Sequence, residues 1–235
     1  MPEAIREKIS ADEAGDLLTS SKVLHTLESE RILAVIRASI FENVEELSQA
    51  VIAGGIRCVL FSSTVPQRFR FIETISKRYP EVLVGAAHVM TGEQAEKAIA
   101  AGAKIISSSY LNKDIVNVCK NSGALVMQGA ATPSEIMEAV QFGSDMVQLF
   151  PINHLGGPNF IRTVKEHLPS VKFVACGGVG LDDMVDFIKA GATAVMVDDA
   201  LTDRGLIRED NWKEITERAK LFTQKIATLK TPKQS

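Results

Sequence analysis

This 235-residue chain has no excess of positive charge: 26 Lys and Arg stand against 29 Asp and Glu, a formal net charge of -3 with a pI near 5.9. Its basic residues are scattered rather than clustered, so neither DNA nor RNA is an expected partner. Cysteine is scarce. Cys58, Cys119 and Cys176 are odd in number, far apart and set in apolar runs, which argues against a disulfide framework or a zinc knuckle and for a reducing compartment. No apolar run approaches the roughly 20 residues that span a bilayer, and the opening MPEAIREKISADEAGD lacks the apolar core of a secretory signal. The chain therefore reads as soluble, cytoplasmic or, if a transit peptide has been removed, from an organelle stroma or matrix, with no membrane contact.

What is present is a repeat. VIAGGIRCVLFSS, AIAAGAKIISSSY, AVQFGSDMVQLFP and FIKAGATAVMVDD each read as a helix end, a glycine and a short apolar strand, with Gly54, Gly102, Gly143 and Gly191 as left-handed helix caps. Between them lie the complementary runs ILAVIR, VLVGAAH, ALVMQGAA and FVACGG, each followed by a polar turn and a helical pattern. The two sets make eight near-continuous apolar strands with helical connections, as parallel strands covered on both faces require. The expected fold is α/β, a closed (β/α)8 TIM barrel over residues 23–227, with a helical extension over 1–22 and a disordered tail over 228–235. An open doubly wound sheet is the competing arrangement. The segment SSKVLHTLESER reads as a helix that closes the bottom of the barrel, with His25 on its surface. Helix starts support the register: Thr91 with Glu93 opens one, and Thr132, Pro133 and Glu135 make a capping box rather than a catalytic pair.

Chemistry in such barrels sits at the C-terminal ends of the strands. That rule gathers Arg37; Ser62, Ser63 and Thr64; His88; Ser108, Ser109 and Tyr110; Gln128 and Thr132; Gln148, Asn153 and His154; Cys176, Gly177 and Gly178; and Asp198 and Asp199. No lysine falls at a strand top; Lys104 and Lys172 fall at strand bottoms. Arg37 can bind a carboxylate or phosphate through its planar fork, or form an ion pair at the rim. His88 can act as a base or ligand, or be structural, and with Asp198 and Asp199 it contains donor types that suit a divalent metal, though no spacing demands one. Cys176 reads as a packed thiol, because a nucleophile would need a base and a lowered pKa. Gly177 and Gly178 have the form of a phosphate-cradling turn. Gln148, in an otherwise apolar strand, is expected to bond to interior neighbours such as Ser62.

In order and spacing, RILAVIR, AGGIRCV, VGAAHV, GAATPSEI, LFPINHLGG and FVACGGVG resemble the 2-keto-3-deoxy-6-phosphogluconate (KDPG) and 4-hydroxy-2-oxoglutarate (KHG) aldolases, from about Val23 to Leu221. The resemblance implies a (β/α)8 barrel, commonly a homotrimer, whose enzymes cleave a 2-keto acid to pyruvate and an aldehyde through a Schiff base on lysine. It also implies where the family's reacting residues should stand. The lysine position, two residues before Phe-Pro, is Gln148, and an amide nitrogen forms no iminium. The acid/base glutamate falls on Leu60, the carboxylate-binding arginine on Thr64, and the threonine after the third strand on His88. The Ser-Pro-Gly of the fourth strand becomes Ser108, Ser109 and Tyr110. The phosphate-binding residues after the last strand fall near Val197, Asp198 and Asp199, where two carboxylates repel phosphate.

Two functions from different classes follow. One is a descendant without Schiff-base activity, binding a small carboxylate or a protein partner through Arg37, Ser62, His88, Ser109, Gln148, Cys176, Gly177, Gly178 and Asp199, with no confident catalytic residue and no cofactor. The other is a carbon–carbon lyase or decarboxylase that acts on a 2-keto acid by altered chemistry, with or without a metal, through His88, Tyr110, Asp198 and Asp199.

Overall fold

The computed structural model describes residues 20–38 and 43–229. The expected extension before residue 20 and the tail from 230 lie outside these residues. Eight parallel strands close on themselves in chain order, β1 (Ile32–Ile36), β2 (Cys58–Phe61), β3 (Leu83–Ala86), β4 (Ile105–Ser108), β5 (Leu125–Ala130), β6 (Met146–Leu149), β7 (Phe173–Cys176) and β8 (Ala194–Val197), and β8 pairs back onto β1. The closed ring removes the open doubly wound alternative.

Every strand residue is buried, because one face fills the barrel and the other meets helices. The inner set includes Leu33, Val35, Cys58, Leu60, Leu83, Ile105, Leu125, Met127, Met146, Val174, Cys176 and Met196. Helix α1 (Ser20–Glu30) adds Val23 and Leu27 to this set, so it closes the end of the barrel at which the strands begin; Lys172, before β7, pairs with its Glu28. The wall is made of α2 (Val44–Ala53), α3 (Arg68–Arg78), α4 (Gly92–Ala100), α5 (Lys113–Ser122), α6 (Pro133–Phe142), α7 (Pro158–His167), α8 (Met184–Lys189), α9 (Arg204–Arg208) and α10 (Trp212–Ala227). Among the described residues no helix is long and apolar enough to cross a membrane.

The capping expectations can be checked position by position. Thr132 and Glu135 form the reciprocal capping box with Pro133 in the first turn, and Thr91 accepts from the Gln94 amide. Gly102, Gly143 and Gly191 are left-handed at φ 103°, 95° and 109°. Gly54 is not. Its φ is -75°, and the left-handed residue is Gly55 at φ 96°. Gly54 is required for another reason: a Cβ there would lie 2.2 Å from that of Ala219, so its absence lets α10 pack directly on α2. Thr216 Oγ1 and Thr223 Oγ1 secure the same contact by donating to the carbonyls of Ala50 and Gly54.

Candidate functional site

Side chains alternate along each strand, so the residue two beyond an inward one also turns inward. From Val35, Leu60 and Ser107 the rule leads to Arg37, Ser62 and Ser109, and from Met196 to Asp198. These residues ring the mouth of the barrel, above a filled interior.

At the level where the resemblance places lysine and glutamate, the interior is closed. Leu60 is fully buried, and Gly85, its register partner on β3, leaves it room: a Cβ on Gly85 would lie 2.6 Å from Leu60 Cδ2. Gln148 is 1% exposed, and its Oε1 accepts from Ser107 Oγ at 2.6 Å while its Nε2 donates to Ser109 Oγ at 3.5 Å. The expected partner, Ser62, is not the one used. Ser107 belongs to β4 and Ser109 directly follows it, two strands from β6, and the intervening β5 offers Gly129, the register partner of Gln148, which has no side chain to obstruct the contact. Alternate strands share the layers of such a barrel, which explains the pairing. No lysine is among the buried residues described.

Ser62 instead faces His88. Its Oγ lies 3.2 Å from His88 Nδ1 and accepts from both the amide and the hydroxyl of Thr64, at 3.2 and 3.1 Å. With both Thr64 donors directed at Ser62, Ser62 Oγ is left to donate to Nδ1, an arrangement that requires neutral His88 in its Nε2–H tautomer. Burial, first, and then the Arg37 guanidinium hold its pKa below the usual histidine value, Asp198 opposes them, and Arg68 adds to the depression. His88 also has a left-handed backbone, φ 54°, sparsely populated for a residue with a Cβ. Arg37 Nη1 pairs with Asp198 at 3.2 Å, both side chains partly exposed at 31% and 25%. The rim ion pair is therefore formed, and it uses one of the guanidinium nitrogens.

The remaining expected site residues are dispersed. Cys176 is 6% exposed, with its thiol 3.4 Å from Met196 Sδ; burial raises its pKa, Asp198 raises it further and Arg37 opposes, so the sulfur is held as a thiol. Gly177 and Gly178 are left-handed but already filled in: a Cβ on the first would lie 3.0 Å from the Phe150 ring and Pro151, and one on the second 2.6 Å from Asn153 Nδ2. Asn153 Nδ2 donates to the Gly178 carbonyl. These glycines admit the loop after β6, whose single 3-10 turn spans Ile152–Leu155. Asp199 and Tyr110 are exposed, Gln128 faces outward to Asn112 and Ser144, and Ser108 Oγ accepts from the Tyr110 amide. Among the described residues no three His, Cys, Asp or Glu side chains converge as a metal set.

Sequence reasoning missed two residues. Ser107 was within reach of the alternation rule, since Ile105 and Ser107 share a face. Arg68 was not: it stands in the polar start of α3, yet it is 6% exposed and donates to the Ala87 carbonyl just past the end of β3.

A family model for KDPG and KHG aldolase matches residues 23–218. A 2-dehydro-3-deoxy-phosphogluconate aldolase of Treponema pallidum is 32% identical over 166 residues, 71% of this chain and 79% of that one. Its counterpart in Pseudoalteromonas atlantica is 27% identical over 180 residues, 74% and 81% of the two chains. Among solved structures, a KDPG aldolase of Legionella pneumophila with pyruvate captured as a covalent carbinolamine superposes with a TM-score of 0.77 at 24% identity, over 86% of this chain and 96% of that one. At that identity the likeness concerns the fold.

Proposed function

The chain belongs to the KDPG and KHG aldolase family, and on that premise we propose that it has kept the barrel, lost the Schiff-base reaction, and binds a small carboxylate at its mouth. The observation that carries this reading is Gln148, a buried amide hydrogen-bonded to Ser107 at the position the resemblance gives to lysine. A carbinolamine needs an amine nitrogen with a free lone pair, and the amide lone pair is delocalised into its carbonyl. Leu60, at the glutamate position, moves no proton. The two changes suit each other: a lysine left among these aliphatic neighbours without its carboxylate would be an unpaired charge in the core.

The mouth supports a carboxylate ligand. Arg37 keeps guanidinium donors beyond the one on Asp198, and in the Nε2–H tautomer His88 offers a donor rather than a base. Two guanidiniums against one carboxylate act on His88, so the local field favours an anion. In the same reading the chain forms a homotrimer, which also offers a platform for a protein partner. Lyase or decarboxylase chemistry on a 2-keto acid is the less supported reading, because the His88 lone pair is already directed at Ser62.

Borohydride reduction in the presence of pyruvate tests the chemistry: the mass of the protein should not change, and a pyruvyl adduct on any lysine refutes the reading. Calorimetric titration with pyruvate tests the site, where Arg37→Ala should weaken binding about tenfold or more, the scale of a lost charge-assisted hydrogen bond.

A further inference from the structure

A second set of polar groups lies beside the mouth. The starts of α3 and α4 border a groove of about 690 Å³, with Arg68, Phe69, Met90, Glu93 and Lys97 among its lining. Arg68 is the unusual member. Its guanidinium, 6% exposed, donates to the Ala87 carbonyl at 3.0 Å and to Gln94 Oε1 at 3.2 Å, both neutral acceptors, and no ion pair among the described residues includes it. Burial lowers its pKa, as expected of a cation held away from water. A buried guanidinium bonded only to neutral groups carries a desolvation cost that a bound anion would offset.

The surroundings fit an anion with an apolar body. Lys97 brings a second cation, held by an exposed bond to Glu93 at 2.6 Å, so the groove keeps a net positive charge of one across Arg68, Lys97 and Glu93. Phe69 stacks under the Arg68 guanidinium at 5.0 Å, and Met90 is half exposed. Helix α3 starts from left-handed Gln67 without a side-chain cap, so its first amides have no competing side-chain acceptor. We infer that the groove between α3 and α4 is a second anion site, taking a small organic carboxylate or phosphate monoester whose headgroup meets Arg68 and Lys97 and whose apolar part rests on Phe69 and Met90.

Calorimetry on the full chain tests this with phenyl phosphate, benzoate and inorganic phosphate. At least one organic anion should bind more tightly than inorganic phosphate, and the stronger of the two identifies the headgroup class. Arg68→Met should weaken that binding about tenfold or more, as for loss of a charge-assisted bond. Because Arg68 also ties α3 to β3, two surface variants keep the test independent of folding: Lys97→Gln should weaken binding about two- to fivefold and Glu93→Gln should strengthen it by a similar factor, the scale of exposed charges. Saturating pyruvate should leave the affinity unchanged. Absence of binding by both organic anions, indifference to the Lys97 and Glu93 changes, or displacement by pyruvate each overturns the inference; the last would place the anion in the mouth and leave the pyruvate reading standing.

Discussion

The inside of the barrel changes character along its axis. Near α1 the inward side chains are Leu33, Cys58, Leu83, Ile105, Leu125 and Met146, with no polar atom stronger than a sulfur among them. At the strand tops the same alternation delivers Arg37, Ser62, Ser109 and Asp198, and beside them a strained histidine. The closed end is selected for volume alone; the open end breaks local preferences, which is where binding is expected to reside. Leu60 and Gln148 stand at the boundary. One extends the apolar filling upward and the other extends the polar rim downward, and together they occupy the level where the resemblance locates the aldol chemistry.

The largest expected effect probes the apolar side of this boundary. Leu60→Ala opens a void opposite Gly85 that the rigid ring cannot close, and should destabilise the protein by about 2–5 kcal/mol in urea unfolding. A loss below about 1 kcal/mol would mean that the interior there is loosely filled. A smaller effect probes the polar side: Ser107→Ala strips Gln148 Oε1 of its donor and should cost about 1–3 kcal/mol. Adding Gln148→Met should recover most of that loss, because no unsatisfied group then remains; if the double variant is no better, the amide is not held by Ser107.

Several features of this comparison were legible in the chain before any coordinates. Four glycine-punctuated repeats and four complementary runs were enough to count the strands, and Thr132, Pro133 and Glu135 marked a helix start to the residue, because both signals are local. The partner of Gln148 was not local. It depends on which strands share a layer of the closed barrel, and the choice of Ser107 over Ser62 is made by closure and by the bare Gly129. Arg68 was hidden for a related reason: its acceptor is the Ala87 carbonyl, 19 residues on, and α3 starts from a left-handed Gln67, a backbone conformation that a glutamine does not advertise. Gly54 was placed correctly and explained wrongly, since its need is set by Ala219, far along the chain.

The smallest effect concerns protons at the rim. Burial and the two guanidiniums hold the folded-state pKa of His88 below its unfolded value near 6.5, so the unfolded chain takes up a proton first as pH falls. His88 should therefore contribute nothing to pH dependence above neutrality and cost stability progressively as pH falls through 6.5 toward its folded pKa. His88→Asn, which tolerates the left-handed backbone, should flatten that acid-side decline in a series of melting curves. An unchanged slope would show that the decline comes from other groups.

The contact of α10 with α2 has a further consequence, temporal rather than structural. The ring closes only when β8 meets β1, and the helix that seats against the vacancy at Gly54 is the last one described in the chain. A nascent chain lacking those final turns would have all eight strands and an unfastened seam, with the α2 surface exposed where Ala219 belongs. Completion of the enclosure thus waits on α10, and α2 at the start of the wall remains uncovered until that helix arrives.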